Sequence, residues 1–168
     1  MKRQLVVLRH AKSDWPVGTQ DHERPLARRG MRDAQVAGQW LVESLPAPDL
    51  VWCSSALRTR ETWAQVLAAY ETPPAVRVDD RIYDAGLPAL LTVLAESPRK
   101  SGLVLLIGHN PGVQELVLSL TDRGRSEARA LAETKFPTCG LAVLDVETEW
   151  AEIGSGKATM TEFVFPRG

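Results

Sequence analysis

The run Gln4-Leu-Val-Val-Leu-Arg-His-Ala-Lys-Ser-Asp-Trp15 decides the fold of this 168-residue chain. Its four apolar residues, 5–8, end at the charged pair Arg9 and His10, and a polar loop comes next. An uninterrupted apolar run of this length, bounded by charge, predicts a strand buried on both faces of a parallel sheet. Because ligands of open α/β sheets bind beyond the carboxyl ends of the strands, we expect Arg9 and His10 to lie at a functional site.

The length of the chain predicts one domain over residues 1–168, large enough to bury a core without disulfides. The formal net charge is -1 with acids and bases interspersed, which argues against binding nucleic acid. The apolar stretches are too short for a transmembrane helix or a signal peptide, so we expect no membrane partner. Cys53 and Cys139 lie in apolar contexts and are expected to be buried thiols, which fits a cytoplasmic protein.

The rest of the chain alternates between strand and helix patterns. Apolar residues at helical spacing predict helices over 28–45, 56–70, 87–95, 113–120 and 126–133. Short apolar or alternating runs predict further strands over 49–53, 75–78, 103–107, 140–145 and 161–165. This alternation predicts a three-layer α/β/α sandwich around a mostly parallel sheet. Either Ser54 or Ser55 is expected to cap the helix that begins after them.

Three junctions between a strand and the next helix carry the candidate catalytic residues. Arg9 and His10 come after the first strand, Arg58 after the second, and His109 after the fourth. Such junctions open on one edge of a doubly wound sheet, so the four side chains can meet. Arginines and helix N-termini suit phosphate oxygens. Two imidazoles among arginines would have lowered pKa values, which keeps one neutral and able to attack phosphorus without a metal or cofactor.

Five segments resemble, in order along the chain, the histidine phosphatase superfamily and its phosphoglycerate mutase-like fold. They are Leu-Arg-His-Ala at 8–11, Arg24-Pro-Leu to Arg29-Gly30, Ser-Ser-Ala-Leu-Arg-Thr-Arg-Glu-Thr at 54–62, Gly-His-Asn-Pro-Gly at 108–112 and Phe136-Pro-Thr-Cys-Gly-Leu-Ala. The resemblance is strongest to the SixA-type phosphohistidine phosphatase branch. Ala11 stands where the common motif of the superfamily has glycine, a small change that this branch also tolerates.

The resemblance implies a role for each matching residue. His10 would accept the phosphoryl group and form a phosphohistidine intermediate. Arg9 and Arg58 would bind the phosphate, and His109 would contact the phosphoryl group during transfer. Arg24 stands where this branch places a further arginine that faces the pocket; the alternative for Arg24 is a salt bridge to Asp21 or Glu23.

Two further residues are candidates for the site. Asn110 comes directly after the second histidine in its motif, and we expect it to bind substrate. Many relatives place an acid after an apolar residue and one intervening position, and Ile82-Tyr-Asp84 fits that spacing. Asp84 is therefore the candidate general acid. A phosphorylated imidazole leaves readily without an acid, whereas an alkyl phosphate ester needs one, so the role of Asp84 bears on the substrate.

The leading hypothesis is a metal-independent phosphatase that works through His10 on phosphohistidine in a protein. The alternatives are a phosphatase of small phosphorylated molecules and a non-catalytic phospho-binding module. A mutase is disfavoured because the chain has little room for the insertions that cover the pocket of mutases. A zinc hydrolase using His10, His22 and His109 is disfavoured because Arg9 and Arg58 would repel a cation. His22 belongs to no motif with a partner residue and is expected to be a loop histidine.

Overall fold

The computed structural model describes residues 1–122 and 125–168, and within them one sheet of six strands forms the centre of the molecule. The strands are β1 (Arg3–Arg9), β2 (Leu50–Ser54), β3 (Val76–Asp79), β4 (Leu103–Gly108), β5 (Leu141–Val146) and β6 (Ala158–Val164). They lie side by side in the order β3-β2-β4-β1-β5-β6. The first four run parallel, whereas β5 and β6 are antiparallel to their neighbours. The predicted mostly parallel sheet is confirmed.

Helices cover both faces of the sheet. They are α1 (Arg28–Ser44), α2 (Leu57–Leu67), α3 (Leu87–Ala95), α4 (Gly112–Leu120) and α5 (Glu127–Thr134). Apolar side chains of α1 and α2 pack on one face of the sheet, and those of α3, α4 and α5 pack on the other. This arrangement is the predicted three-layer α/β/α sandwich. No helix in the described ranges is long and apolar enough to cross a membrane.

The β1 strand is buried on both faces, as its apolar run predicts. Leu5 and Val7 point into the core beneath α3, α4 and α5, whereas Val6 and Leu8 point into the core beneath α1 and α2. All four side chains are fully buried. The strand extends one residue beyond the run at its carboxyl end, so that Arg9 still pairs with Gly108 of β4.

Two predicted boundaries differ from the structure by three residues, and the other differences are smaller. The α2 helix ends at Leu67 rather than near Tyr70, because the amides of Ala69 and Tyr70 bond carbonyls three residues back and wind the chain into a tight turn. The β6 strand begins at Ala158 rather than Thr161, because Ala158 pairs with β5 and packs into the core.

The predicted serine cap of α2 is wrong. Ala56 is the N-cap residue, and its side chain makes no hydrogen bond with the first turn of the helix. Both serine hydroxyls have other partners, since Ser54 contacts His109 and Ser55 contacts His22. Ser54 is instead the last residue of β2, where its side chain reaches toward the end of β4. The two cysteines, by contrast, are free and buried as predicted.

Candidate active site

The carboxyl ends of β1, β2 and β4 lie next to one another, and the candidate residues gather at this edge of the sheet. His10 comes directly after β1 and is held by its backbone on two sides. Its amide donates to the carbonyl of Gly108 at 3.0 Å, and its carbonyl accepts from the amide of Cys139 at 3.0 Å. The end of β4 and the turn before β5 therefore fix the position of His10.

The side chain of His10 is 7% exposed, and its Nδ1 lies 2.8 Å from the carbonyl oxygen of Ala11. Because a carbonyl oxygen only accepts, Nδ1 carries the proton of the neutral ring. The other ring nitrogen, Nε2, then has a free electron pair. In this tautomer His10 is equipped to act as a nucleophile.

Both histidines of the site are neutral at pH 7. The pKa of His10 is lowered to about 3, with burial as the largest cause; the bond to Ala11 opposes this shift, and the nearby charges of Arg58 and Arg9 contribute to it. Burial also lowers the pKa of His109 to about 3, with Arg58 as the next cause. The predicted direction is confirmed, but loss of hydration contributes more than the predicted repulsion by cations.

His109 faces His10 across the site, with the two ring centroids 5.3 Å apart. Its Nε2 lies 2.7 Å from the hydroxyl oxygen of Ser54, which joins the end of β4 to the end of β2. Its Nδ1 is buried and has no hydrogen-bond partner among the described residues. The structure therefore brings the two predicted histidines together and identifies Ser54 as the residue that orients the second one.

Arg9 and Asn110 meet at one backbone carbonyl. The Nη1 of Arg9 and the Nδ2 of Asn110 each donate to the carbonyl oxygen of Phe136 at 2.9 Å. The Nε of Arg9 and the Oδ1 of Asn110 are buried without a partner in the described part of the chain. Both residues thus lie beside the histidines with polar atoms that a ligand can satisfy.

Arg58 lies in the first turn of α2 and is 6% exposed. Its Nη1 donates to the backbone carbonyl of Asp21 at 2.8 Å, and its Nη2 donates to the Asp21 carboxylate at 3.3 Å. The charge of Arg58 lowers the pKa values of Arg9, His10 and His109, although burial is the larger cause for each. The four residues predicted from the strand ends therefore lie together in one cationic site, which we call the pocket.

Asp21 is a pocket residue that the sequence suggested only as a possible ion-pair partner of Arg24. Its carboxylate accepts from the Tyr83 hydroxyl at 2.6 Å, from Arg58 at 3.3 Å and from Arg24 at 3.3 Å. These contacts, with the Tyr83 bond as the largest cause, lower the pKa of Asp21 to about 2. Asp21 is consequently an ionised carboxylate, partly exposed, beside the cations of the site.

Arg24 reaches the pocket through this carboxylate. Besides Asp21, its guanidinium donates to the hydroxyl of Ser13 at 2.7 Å and lies 4.3 Å from the ring centroid of Trp15. The alternative of an ion pair with Asp21 is present in the structure, whereas the role that the resemblance implies for Arg24 stays a prediction. Arg24 links the loop after β1 to the anion that also contacts Arg58.

Tyr83, rather than its neighbour Asp84, enters the pocket. The Tyr83 ring packs edge-on against His109, with centroids 5.7 Å apart, and against His22 at 4.8 Å. Asp84 has a φ of 52° and an exposed side chain, and it makes no hydrogen bond or ion pair with a described residue. Asp84 therefore makes no described polar contact with the other candidates, and its role as general acid stays a prediction.

His22 has partners that the sequence did not predict. Its Nδ1 lies 2.9 Å from the Glu23 carboxylate, and its Nε2 lies 3.0 Å from the hydroxyl of Ser55. Over residues 1–122 and 125–168, no three His, Cys, Asp or Glu side chains are arranged to hold a metal ion.

Comparisons with known proteins agree with this geometry. A family model described as the histidine phosphatase superfamily, branch 1, matches residues 5–87. An uncharacterized protein of Mycobacterium tuberculosis is 39% identical over 95% of this chain and all of its own length. A solved structure from Nakamurella multipartitia, assigned as a phosphohistidine phosphatase SixA, is 33% identical, with a TM-score of 0.88 over 99% of this chain and 97% of that one. A structure from Agrobacterium tumefaciens with the same assignment is 27% identical, with a TM-score of 0.83 over 99% of both chains.

Proposed function

Because the chain belongs to the SixA-type branch of the histidine phosphatase superfamily, and is therefore a phosphohydrolase, we propose that it hydrolyses phosphohistidine in a protein. In this proposal the reaction proceeds without a metal, through a phosphohistidine intermediate on His10. The phosphate oxygens are bound by Arg9 and Arg58, with His109 and Asn110 beside them. The observation that carries the proposal is the bond between Nδ1 of His10 and the carbonyl of Ala11, which leaves Nε2 free to attack.

The reaction has two displacement steps at phosphorus. In the first, Nε2 of His10 attacks, the P–N bond to the substrate imidazole breaks, and that imidazole leaves neutral when its second nitrogen carries a proton. His10 becomes an N-phosphorylated imidazolium, because its Nδ1 keeps the proton that it donates to the carbonyl of Ala11. In the second, water attacks phosphorus, the P–Nε2 bond breaks, and dihydrogen phosphate leaves with His10 neutral again. The surrounding cations stabilise the charge on the transferring group.

The acid–base character of the pocket favours an imidazole leaving group over an alkoxide. An alkoxide leaving group needs a proton from an acid of the enzyme, whereas the imidazole of a protonated phosphoimidazole already carries its proton. Asp21 contacts the pocket arginines, but its pKa of about 2 means that it holds no proton to donate at neutral pH. Asp84 is exposed and makes no hydrogen bond or ion pair with the described residues of the site. Both observations support phosphohistidine rather than a small alkyl phosphate as the substrate.

Exposed apolar side chains near the site support a protein as the bearer of the phosphohistidine. Trp15 and Val17 are exposed in the loop after β1. On the β6 side, Leu131 and Phe165 are half exposed and border an apolar groove of about 370 Å³. This groove adjoins the segment whose Phe136 carbonyl binds Arg9. Apolar surface of this kind is typical of protein contacts and gives no advantage toward a small hydrophilic phosphate.

The proposal is tested by comparing three substrates in one assay. A histidine-phosphorylated carrier protein, an alkyl phosphate ester and an aryl phosphate are each offered to the wild type and to His10→Ala, with and without a chelator. We expect kcat/KM to be about 100-fold higher for the phosphohistidine protein than for the alkyl ester, as an unassisted alkoxide predicts. Activity should survive the chelator and disappear in the variant. Faster turnover of the alkyl ester, or loss of activity with chelator, would contradict the proposal.

A further inference from the structure

We propose that Asp21 is a resident counter-anion that limits how tightly the pocket holds phosphate. Its carboxylate occupies donor groups of two arginines, Arg58 at 3.3 Å and Arg24 at 3.3 Å. These are N–H groups that would otherwise be free to bind phosphate oxygens. A phosphate entering the pocket therefore competes with a carboxylate that is already there.

The charges of the site explain why such a competitor has a large effect. Arg9, Arg24 and Arg58 supply three positive charges, whereas both histidines are neutral at pH 7. The ionised carboxylate of Asp21 offsets one of the three. Because the Asp21 side chain is 41% exposed, solvent screens its charge only in part, and one unit of charge at this site changes anion affinity several-fold.

Tyr83 holds the counter-anion in place. Its hydroxyl donates to the Asp21 carboxylate at 2.6 Å, while its ring packs edge-on against His109. The carboxylate is thus anchored by a neutral donor on one side and by two cations on the other. Asp21 is a fixed part of the pocket and does not depend on an incoming ligand for its position.

The charge of Asp21 and its positioning effect can be separated. The Nη1 of Arg58 bonds the backbone carbonyl of Asp21 at 2.8 Å, a contact that any side chain leaves intact. Asp21→Asn therefore removes the charge and keeps Arg58 in place. If Asp21 served only to order its loop, the same change would weaken anion binding. A counter-anion role predicts that Asp21→Asn binds phosphate more tightly, whereas a purely structural role predicts weaker binding.

The consequence for turnover is easier release of inorganic phosphate. This consequence rests on the proposed function, because only a phosphatase must release phosphate from the pocket in every cycle. With three uncompensated cations, the product would compete more strongly with the next substrate. The carboxylate of Asp21 thus lowers the affinity of the pocket for inorganic phosphate and speeds its release.

The test measures binding of inorganic phosphate to the unmodified enzyme by titration calorimetry. We expect Asp21→Asn and Asp21→Ser to bind phosphate about 5- to 20-fold more tightly than the wild type, as loss of one neighbouring charge predicts. Glu23→Gln is the matched control, since Glu23 lies in the same turn but pairs with His22 instead of an arginine. We expect this control to change the affinity less than twofold.

Kinetics add a second readout. The inhibition constant of phosphate in aryl phosphate turnover should fall in parallel with its Kd in Asp21→Asn, while Asp21→Glu, which keeps the charge, stays near the wild type. Unchanged or weaker phosphate binding in both charge-removing variants would overturn the inference. Calorimetry needs no turnover, so it tests the counter-anion separately from the substrate. If the charge-removing variants bind phosphate more tightly but the enzyme does not hydrolyse phosphohistidine, the counter-anion is supported and only the proposed substrate is refuted.

Discussion

The hydroxyl oxygen of Ser54 lies 2.7 Å from Nε2 of His109, so that the last residue of β2 orients the residue directly after β4. We expect Ser54→Ala to lower kcat about fivefold, the effect of one hydrogen bond worth about 1 kcal/mol. Ser55→Ala is the control, because its hydroxyl bonds His22 at the edge of the pocket. That variant should retain at least half of the activity. Equal effects of the two changes would contradict a specific role for Ser54.

Acid should destabilise the fold through the two buried histidines. Burial holds the pKa values of His10 and His109 at about 3, against 6.5 in the unfolded chain. Between these values the unfolded chain binds protons that the folded chain does not, so the free energy of unfolding falls as the pH falls. At pH 5 each histidine should cost about 2 kcal/mol relative to pH 8.

Urea denaturation at pH 8 and pH 5 checks this effect. We expect His10→Asn to lose about 2 kcal/mol less stability between the two pH values than the wild type, since one titrating ring is gone. Equal losses in both proteins would mean that His10 is protonated in the folded state.

Asp84 should be dispensable for the reaction. Its side chain is exposed and makes no described polar contact, so we expect Asp84→Asn to hydrolyse both phosphohistidine protein and alkyl phosphate at rates within about twofold of the wild type, the range of a neutral surface change. Steady-state kinetics on the two substrates measure this directly. A tenfold loss on the alkyl ester alone would identify Asp84 as an acid that reaches the pocket during catalysis.

The exposed apolar residues Trp15 and Val17, which we call the apolar rim, should contribute to binding of a protein substrate and not to binding of a small one. Val17 is fully exposed in the loop after β1, so its replacement by serine removes no internal contact. We expect Val17→Ser to raise KM for a histidine-phosphorylated protein about threefold to tenfold, as loss of one apolar contact predicts, and to leave KM for an aryl phosphate unchanged. Val76→Ser is the control, because Val76 is exposed at the opposite end of the parallel strands. Equal changes in both variants would contradict a protein-binding role for this rim.

The residues at the strand ends could be predicted from the sequence. Apolar runs mark the strands before His10, Arg58 and His109, and parallel neighbouring strands place the residues at their carboxyl ends along one edge of the sheet. The fold and the four central residues of the site can be derived from this rule. The tautomer of His10 and the dominance of burial in its pKa depend on packing, which no local pattern encodes.

The supporting residues could not be predicted for identifiable reasons. A serine before a helix is typical of an N-cap. The hydroxyl of Ser54 instead contacts His109, which comes directly after the neighbouring strand β4. Asp21 lies in a loop without periodicity, and its role depends on Arg58 and Tyr83, which are distant along the chain. Spacing alone selects Asp84 as the acid. The direction of its side chain depends on a backbone with positive φ, which spacing does not reveal.

The central claim is that His10 carries the phosphoryl group, and trapping that intermediate tests it most directly. The enzyme is mixed with a protein bearing labelled phosphohistidine, quenched in base during turnover and digested for mass spectrometry. We predict labelled phosphate on Nε2 of His10 in the wild type and no labelled enzyme in His10→Ala. Turnover without label on His10, or label that persists in the variant, would contradict the account.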